Sequence, residues 1–326
     1  MKNQVKKPHL IFLDATTVDL GDLSLSSLKK QGRYQSFDLL PDSQITRKAQ
    51  TAEILITNKC VLDRKKILTM PKLKLICVAA TGVNNVDLKT CEEQKIAVCN
   101  VAGYSTQTVA EHALLFLLAL AHRLEEHNTI SKNGQWSRSP HFSFLDYPFC
   151  DLNGKTLGLV GYGTIGKKVA ELAKAFGMNV IVAKIPGRKY ESRNKRIPLK
   201  SVLKQSDYIS LHTSLHSNTF HLIGKKELAL MKRNACLINL ARGPVVNEKE
   251  LVTALAKNKI RAYASDVMEQ EPPSTRNPLL SRKLAHKVLL TPHIAWASRE
   301  SRQRLVNEIG LNIEAFLKGK KRNRVI

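Results

Sequence analysis

"GLVGYGTIGKKVAELAKAFGMNVIVAKIPGRK", residues 158–189, decides the reading of this chain. An apolar run, "TLGLV", leads into Gly161, Gly163 and Gly166, spaced G-x-G-x-x-G. The helical pattern "TIGKKVAELAKAFG" follows and stops at Gly177, and a second apolar run, "NVIVAK", ends at Lys184. Strand, glycine turn, helix and strand in that order predict a βαβ unit that cradles the pyrophosphate of a dinucleotide. The first glycine permits the tight turn, and the second lets the phosphate approach the backbone. The third lets helix and strand pack closely while the helix N-terminus faces the anion. A carboxylate that would bond the ribose 2′-hydroxyl belongs at the end of the second strand, where this chain has Lys184. Lys184 and Arg188 would instead attract a 2′-phosphate, so the expected cofactor is NAD(P)(H), with the choice between the two forms left open.

Outward from this stretch the chain alternates short apolar runs with helical patterns. "HLIFLD" (9–14), "EILITN" (53–58), "LKLICVAAT" (73–81) and "IAVCNV" (96–101) read as strands of one α/β unit. Each is a continuous apolar run, as expected of a parallel sheet covered on both faces. A helical stretch begins near Thr106. A second series follows, with strands expected at 156–160, 179–184, 208–212, 235–241, 260–267 and 287–291. Strands alternating with helices at this spacing predict the α/β class, with two doubly wound parallel-sheet domains and a cleft between them. The final stretch, "SRESRQRLVNEIGLNIEAFLKG", is one amphipathic helix placed to return to the first domain. The expected boundaries are 1–101 with 294–326 for one domain and 102–293 for the other.

Composition narrows the function classes. The 326 residues are 43% hydrophobic and 24% charged, enough for two ordinary cores. The longest apolar run, "ALLFLLALA" (113–121), is far short of the roughly 20 residues a membrane span requires. It reads as a buried helix or a subunit contact. The N-terminus lacks the pattern of a secretory signal, since its apolar run stops at Asp14. Six cysteines without a CxxC pair read as reduced thiols of a cytoplasmic protein, with no metal site expected. The net charge of +25 invites a nucleic-acid reading. The basic residues are spread along the chain, however, and no nucleic-acid-binding motif accompanies them. Two stretches concentrate charge: the tail "KGKKRNR", expected to be a solvated end, and residues 184–200, with seven basic residues and one acid.

Three further segments place polar residues just past apolar runs: "LINLARGPVVN", "AYASDVMEQEPP" and "LLTPHIAW". They present Arg242, then Asp266 and Glu271, then His293. In an open α/β sheet, ligands bind beyond the carboxyl ends of the strands, so these groups can converge beside a nicotinamide. Arg242 can grip a carboxylate with two parallel hydrogen bonds. His293 can give or take a proton near neutral pH, and a neighbouring Glu271 would favour its imidazolium form.

With these segments in place, the chain resembles the D-isomer-specific 2-hydroxyacid dehydrogenases over nearly its full length. The matching stretches are "AATGVNNVDL" (79–88), "TVAEHALLFLLAL" (108–120), "GKTLGLVGYGTIGKKVA" (154–170), "LINLARGPVVNEKEL" (237–251), "DVMEQEPP" (266–273) and "TPHIAW" (291–296). Within that family, "GQWSRSPHFSFLDYPF" (134–149), "IPGRK" (185–189) and "EPPSTRNPLL" (271–280) are similar to the glycerate dehydrogenases, or hydroxypyruvate reductases. The resemblance implies a Rossmann nucleotide-binding domain and a flavodoxin-like substrate domain. It implies reduction of hydroxypyruvate to D-glycerate, and of glyoxylate to glycolate. Arg242 would bind the substrate carboxylate, His293 would be the acid/base and Glu271 its partner, while the amides of Gly82 and Val83 would hold the carboxylate from the first domain. Asp266 would orient the nicotinamide carboxamide. Thr81, Thr108, Thr164, Ile165, His212, Thr213, Ala241 and Ala295 would line the cofactor beside Gly161, Gly163, Gly166, Lys184 and Arg188. A homodimer held largely by the 106–125 helical region is implied as well. Lys184 departs from the family pattern, where NAD-dependent members commonly carry an acid. Two other functions compete: a dehydrogenase for another small 2-keto acid, and a nucleotide-sensing interaction protein of the corepressor kind.

Overall fold

The computed structural model describes residues 7–190 and 195–326. The start of the chain, read above for a leader, and the segment 191–194 with Glu191 and Arg193 lie outside the described residues. Backbone contacts divide the chain into two units, Met1–Ser105 with Trp296–Ile326, and Thr106–Ala295. The divisions fall a few residues later than the expected boundaries at 101 and 294.

Unit 1 carries a parallel five-stranded sheet of β1 (His9–Phe12), β2 (Arg33–Ser36), β3 (Ile54–Thr57), β4 (Leu75–Val78) and β5 (Ala97–Cys99), in the order β2-β1-β3-β4-β5. This is the flavodoxin-like order. Along β1 the side chains alternate between two buried layers. Leu10 and Phe12 pack on the layer that includes Leu305, Val306, Ile309 and Ile313 of the helix Arg299–Leu317. Ile11 faces the opposite layer with Leu55, Ile76 and Val98. Both faces being covered, every position of β3, β4 and β5 is buried, which is why the strands read as unbroken apolar runs. Each such Leu or Ile contributes about 1.5–3 kcal/mol by leaving water. β2 was not expected from sequence: "RYQS" is an edge strand, pairs only with β1 and is largely exposed.

Six of the seven residues of "KGKKRNR" are exposed, as expected of a solvated stretch, while the backbone beyond them is docked. Arg324 bridges to Cys99, Val325 N–H donates to the Val98 carbonyl, and Val325 and Ile326 pack on the core. Arg322 reaches Asn312 and Glu308, each at 2.8 Å.

Unit 2 carries a parallel seven-stranded sheet of β6 (Thr156–Val160), β7 (Asn179–Lys184), β8 (Ile197–Pro198), β9 (Tyr208–Leu211), β10 (Cys236–Asn239), β11 (Ala262–Ser265) and β12 (Val288–Leu290). Its order, β12-β11-β10-β9-β6-β7-β8, reverses between β6 and β9 and is that of a Rossmann sheet with one more strand. The edge strand β8 spans two residues and was also not expected. The helix Thr106–His122 buries Val109, Ala113, Phe116, Leu117 and Leu120, and it ends where Arg123 turns left-handed at φ +51°. Among the described residues, no helix is long and apolar enough to cross a membrane.

The two sheets treat their switch points differently. In unit 1, the N–H groups of Asn58, Lys59 and Cys60 all donate to the buried carboxylate of Asp14. The chain's own acid fills that nest of donors. In unit 2 the corresponding position carries the glycine turn.

Candidate active site

The glycine turn follows β6. Gly161 has φ +102°, a conformation that favours glycine, and a Cβ there would collide with the carbonyl of His212 at the end of β9. The loops on either side of the strand-order reversal therefore touch backbone to backbone. A Cβ on Gly166 would strike the Gly161 carbonyl, so the helix Thr164–Ala175 approaches the turn only because position 166 is bare. A Cβ on Gly163 would meet nothing, which leaves the face above the helix N-terminus open. A close-packed floor, an open rim and the first-turn amides of Thr164, Ile165 and Gly166 fit a pyrophosphate.

His212 and Thr213 follow β9. His212 Nε2 lies 2.9 Å from Ser210 Oγ, while its Nδ1 is closed to solvent and has no partner among the described residues. Burial pushes its imidazole down to about 4, so the ring is neutral at physiological pH. Thr213 is buried.

Arg242 stands just past β10. The buried Asn239 that closes this strand holds the turn at both ends: its Oδ1 accepts from Ala241 N–H at 3.0 Å, and its Nδ2 donates to the Arg242 carbonyl at 3.0 Å. Arg242 Nη1 donates to the Ala241 carbonyl at 2.7 Å, and the residue is exposed. The backbone of the next residue, Gly243, lies against Met268, where any Cβ would overlap the Met268 carbonyl. Met268 N–H in turn donates to Glu271 Oε1 at 2.9 Å. The turn that carries Arg242 is thus packed, through Gly243, onto the segment that presents Glu271.

His293 follows β12 and has φ +56°. Its Nδ1 lies 2.7 Å from Glu271 Oε2. The unusual backbone is held by Asp266, whose buried carboxylate accepts from Ile294 N–H through Oδ1 and from Ala295 N–H through Oδ2, both at 2.8 Å. Oδ1 also accepts from Thr291 Oγ1 at 2.5 Å. Thr291 Oγ1 lies 3.0 Å from His112 Nε2, so a neutral His112 with its proton on Nε2 completes a line of donors from the helix Thr106–His122 to Asp266. Burial pushes the His112 imidazole down, with the Asp266 charge opposing. Two of the carboxylate's lone-pair directions are spent on the loop and a third on Thr291, leaving Asp266 one more for the role expected toward a carboxamide.

Strands β10, β11 and β12 are neighbours, so Arg242, Asp266 with Glu271, and His293 occupy adjacent carboxyl ends of one sheet. Ala241 and Ala295 are buried beside them. Lys184 ends β7 and is exposed, as is Arg188. Thr108 lies in the first turn of the helix Thr106–His122. Thr81, Gly82 and Val83 belong to unit 1, in the loop after β4, where Thr81 Oγ1 donates to the Val101 carbonyl at 3.1 Å. Among the described residues, the N–H groups of Gly82 and Val83 meet no acceptor. A cavity of about 620 Å³ in unit 2 is lined by Arg123, Arg261, Ala262 and Val288 at the amino ends of β11 and β12, and holds none of Arg242, Glu271 or His293.

Sequence reasoning missed Asn239, Gly243, Thr291 and His112. Asn239 carried a signal, a polar residue closing the apolar run "CLIN". His112 and Thr291 are 179 positions apart, and no local pattern joins them.

Residues 114–295 match the family model described as D-isomer specific 2-hydroxyacid dehydrogenase, NAD binding domain. The chain belongs to the D-isomer specific 2-hydroxyacid dehydrogenase family. A hydroxypyruvate reductase of Blautia hydrogenotrophica is 36% identical over 95% of this dehydrogenase and 97% of its own length. A glycerate dehydrogenase of Methylorubrum extorquens is 36% identical, covering 97% of this chain and 98% of its own. Among solved structures, a protein of Thermus thermophilus superposes with a TM-score of 0.86 at 31% identity, over 98% of this chain and 100% of its own. The dehydrogenase is therefore an NAD-binding oxidoreductase of 2-hydroxy acids, and its two parallel sheets are those of the family.

Proposed function

We propose that this dehydrogenase is a hydroxypyruvate reductase, converting hydroxypyruvate to D-glycerate and glyoxylate to glycolate. The observation that carries the reading is the His293–Glu271 pair, 2.7 Å apart, with His293 on a loop pinned by Asp266 and Glu271 after β11, the neighbour of the strand that leads to Arg242. A reduced nicotinamide dinucleotide held by the turn of Gly161, Gly163 and Gly166 would supply the hydride that C2 of the keto acid takes up. His293 gives the C2 oxygen a proton from Nε2, because Nδ1 is turned to Glu271. Glu271 fixes the ring and balances its charge. Arg242 binds the carboxylate with its planar fork and draws electron density toward the keto oxygen. Run in reverse, neutral His293 takes the hydroxyl proton.

The names of the similar Blautia and Methylorubrum enzymes support this choice of substrate. Unit 2 is proposed as the dinucleotide-binding domain and unit 1 as the substrate domain. A homodimer in the cytoplasm completes the reading. The segment after residue 106 leaves Leu115, Leu124, Phe142 and Leu145 exposed, and a second copy would cover them. The test is a panel of hydroxypyruvate, glyoxylate, pyruvate and phosphohydroxypyruvate, followed by the absorbance of reduced nicotinamide. Hydroxypyruvate should give the highest kcat/KM, and a higher value for pyruvate would refute the assignment.

A further inference from the structure

We propose that Glu248 is a positioning residue for the proton-transfer pair, its buried carboxylate tying the turn of Arg242 to the segment that presents Glu271. Two consecutive amides of that segment are each held by a carboxylate. Met268 N–H donates to Glu271 Oε1 at 2.9 Å, and Glu269 N–H donates to Glu248 Oε1 at 2.7 Å. Only the φ and ψ of Met268 separate the two N–H groups, so a shift of the second amide re-aims the first. Glu248 reaches this segment from the Arg242 side. Its helix, Glu248–Ala256, starts just past the turn Gly243–Val245 that follows Arg242. Gly243 lies so close to Met268 and Glu269 that a Cβ would overlap the peptide group between them. That peptide is therefore pressed by the turn and hydrogen-bonded by the start of the helix that follows it. The tie is reciprocal, because Glu248 N–H, a donor of the first helical turn, donates to Glu269 Oε1 at 3.2 Å. Glu269 Oε1 also lies 2.9 Å from His221 Nε2, and Glu248 Oε2 accepts from Asn277 Nδ2 at 2.9 Å.

A helix start does not by itself call for this carboxylate. The helix is already capped by Asn247, whose Oδ1 accepts from Glu250 N–H at 3.2 Å. Among the described residues, no cation pairs with Glu248, so its buried charge rests on the two donors it holds and on the positive end of the helix. Donor geometry restricts which side chain can stand there. Both carboxylate oxygens accept, and Asn277 cannot reverse its amide, because its Oδ1 accepts from Leu279 N–H at 2.9 Å. An amide at position 248 would turn its NH2 group against one of two donors. Either loss loosens the hold on Glu269 N–H, and with it the aim of Met268 N–H at Glu271. The assignment rests on the proposed roles of Glu271 and His293, and it adds a residue that touches neither substrate nor cofactor.

The experiment follows hydroxypyruvate reduction by the full chain across pH, with Glu271→Gln as the reference. Reduction weakens as pH rises and His293 loses its proton, and removing the Glu271 charge should move that limb to lower pH. Glu248→Gln should move it the same way, by about half a pH unit or more. It should also lower kcat by about tenfold, the scale of one buried donor left unpaired. Glu248→Gln combined with Asn277→Asp exchanges the amide and the carboxylate. The new amide accepts from Glu269 N–H and donates to the new carboxylate, which still accepts from Leu279 N–H. This exchange should restore the limb and return kcat to within about threefold of wild type. Glu250→Gln removes a charge from the same helical turn without touching Glu269, and should leave the limb in place. A lower thermal midpoint in Glu248→Gln with an unmoved limb overturns the positioning role, as does failure of the exchange to restore the limb. If Glu271→Gln moves the limb in those cases, the proposed function stands. An unmoved limb in Glu271→Gln itself overturns the proton-transfer pair and the positioning role together.

Discussion

Replacing Asp266 by Asn tests whether one buried carboxylate holds the histidine loop in its left-handed shape. The wild-type side chain serves three donors with two oxygens: Thr291 Oγ1 and Ile294 N–H on Oδ1, and Ala295 N–H on Oδ2. An amide keeps one oxygen and turns an NH2 group toward the third donor. The two surviving bonds lose their ionic character, about 1 kcal/mol each, and one buried N–H is left without an acceptor at about 2 kcal/mol. Burying a neutral group in place of a charge returns part of this, for a net loss of about 3 kcal/mol. In a unit of this size that corresponds to a thermal midpoint roughly 6–12 °C lower. His293 at φ +56° is disfavoured by about 1–2 kcal/mol on its own, so the freed loop should relax and kcat should fall more than KM rises. Scanning calorimetry and steady-state kinetics with hydroxypyruvate read the two effects separately. A midpoint within about 2 °C of wild type together with unchanged kcat would refute the clasp.

Two further outcomes are expected. Arg242→Lys should lower kcat/KM by roughly 30-fold, about 2 kcal/mol, because a point charge replaces the bidentate fork; near-normal kinetics would remove Arg242 from the site. His212 carries its proton only below about 4 when folded but below about 6.5 when unfolded, so the unfolded chain binds more protons between those values and stability falls as pH drops through them. Allowing for the ring's partial exposure, the loss is about 2 kcal/mol, and urea unfolding of His212→Asn should show a shallower pH slope there than the wild type. Identical slopes would count against a neutral His212.

Most of the sheet architecture could be read from the sequence because central parallel strands must be apolar on both faces. β3, β4, β6 and β9 through β11 are such strands, and each advertises itself as a continuous run. β2 and β8 escaped for the opposite reason. An edge strand has one neighbour and an exposed face, so "RYQS" carries no hydrophobic pattern to find. The same division holds in the candidate site. Arg242, Glu271 and His293 are visible as polar residues that follow apolar runs. Thr291 and His112 come together across 179 positions, beyond the reach of any local pattern. Tyr162 and Arg196 are joined only when β8 returns beside β7.

The return of the helix Arg299–Leu317 to unit 1 has a consequence for biosynthesis. Unit 2 is continuous, Thr106–Ala295, and holds all its strands once residue 290 has left the ribosome. Unit 1 begins first but finishes last, since the layer of Leu10, Phe12, Leu75 and Cys77 is completed by Leu305, Val306, Ile309 and Ile313. At ordinary translation rates of about 5–20 residues per second, the roughly 200 residues between β5 and that helix take about 10–40 s. Until then the layer that holds Cys77 and Cys99 lacks the four apolar side chains of that helix. The sheet made first is therefore completed by the helix made last.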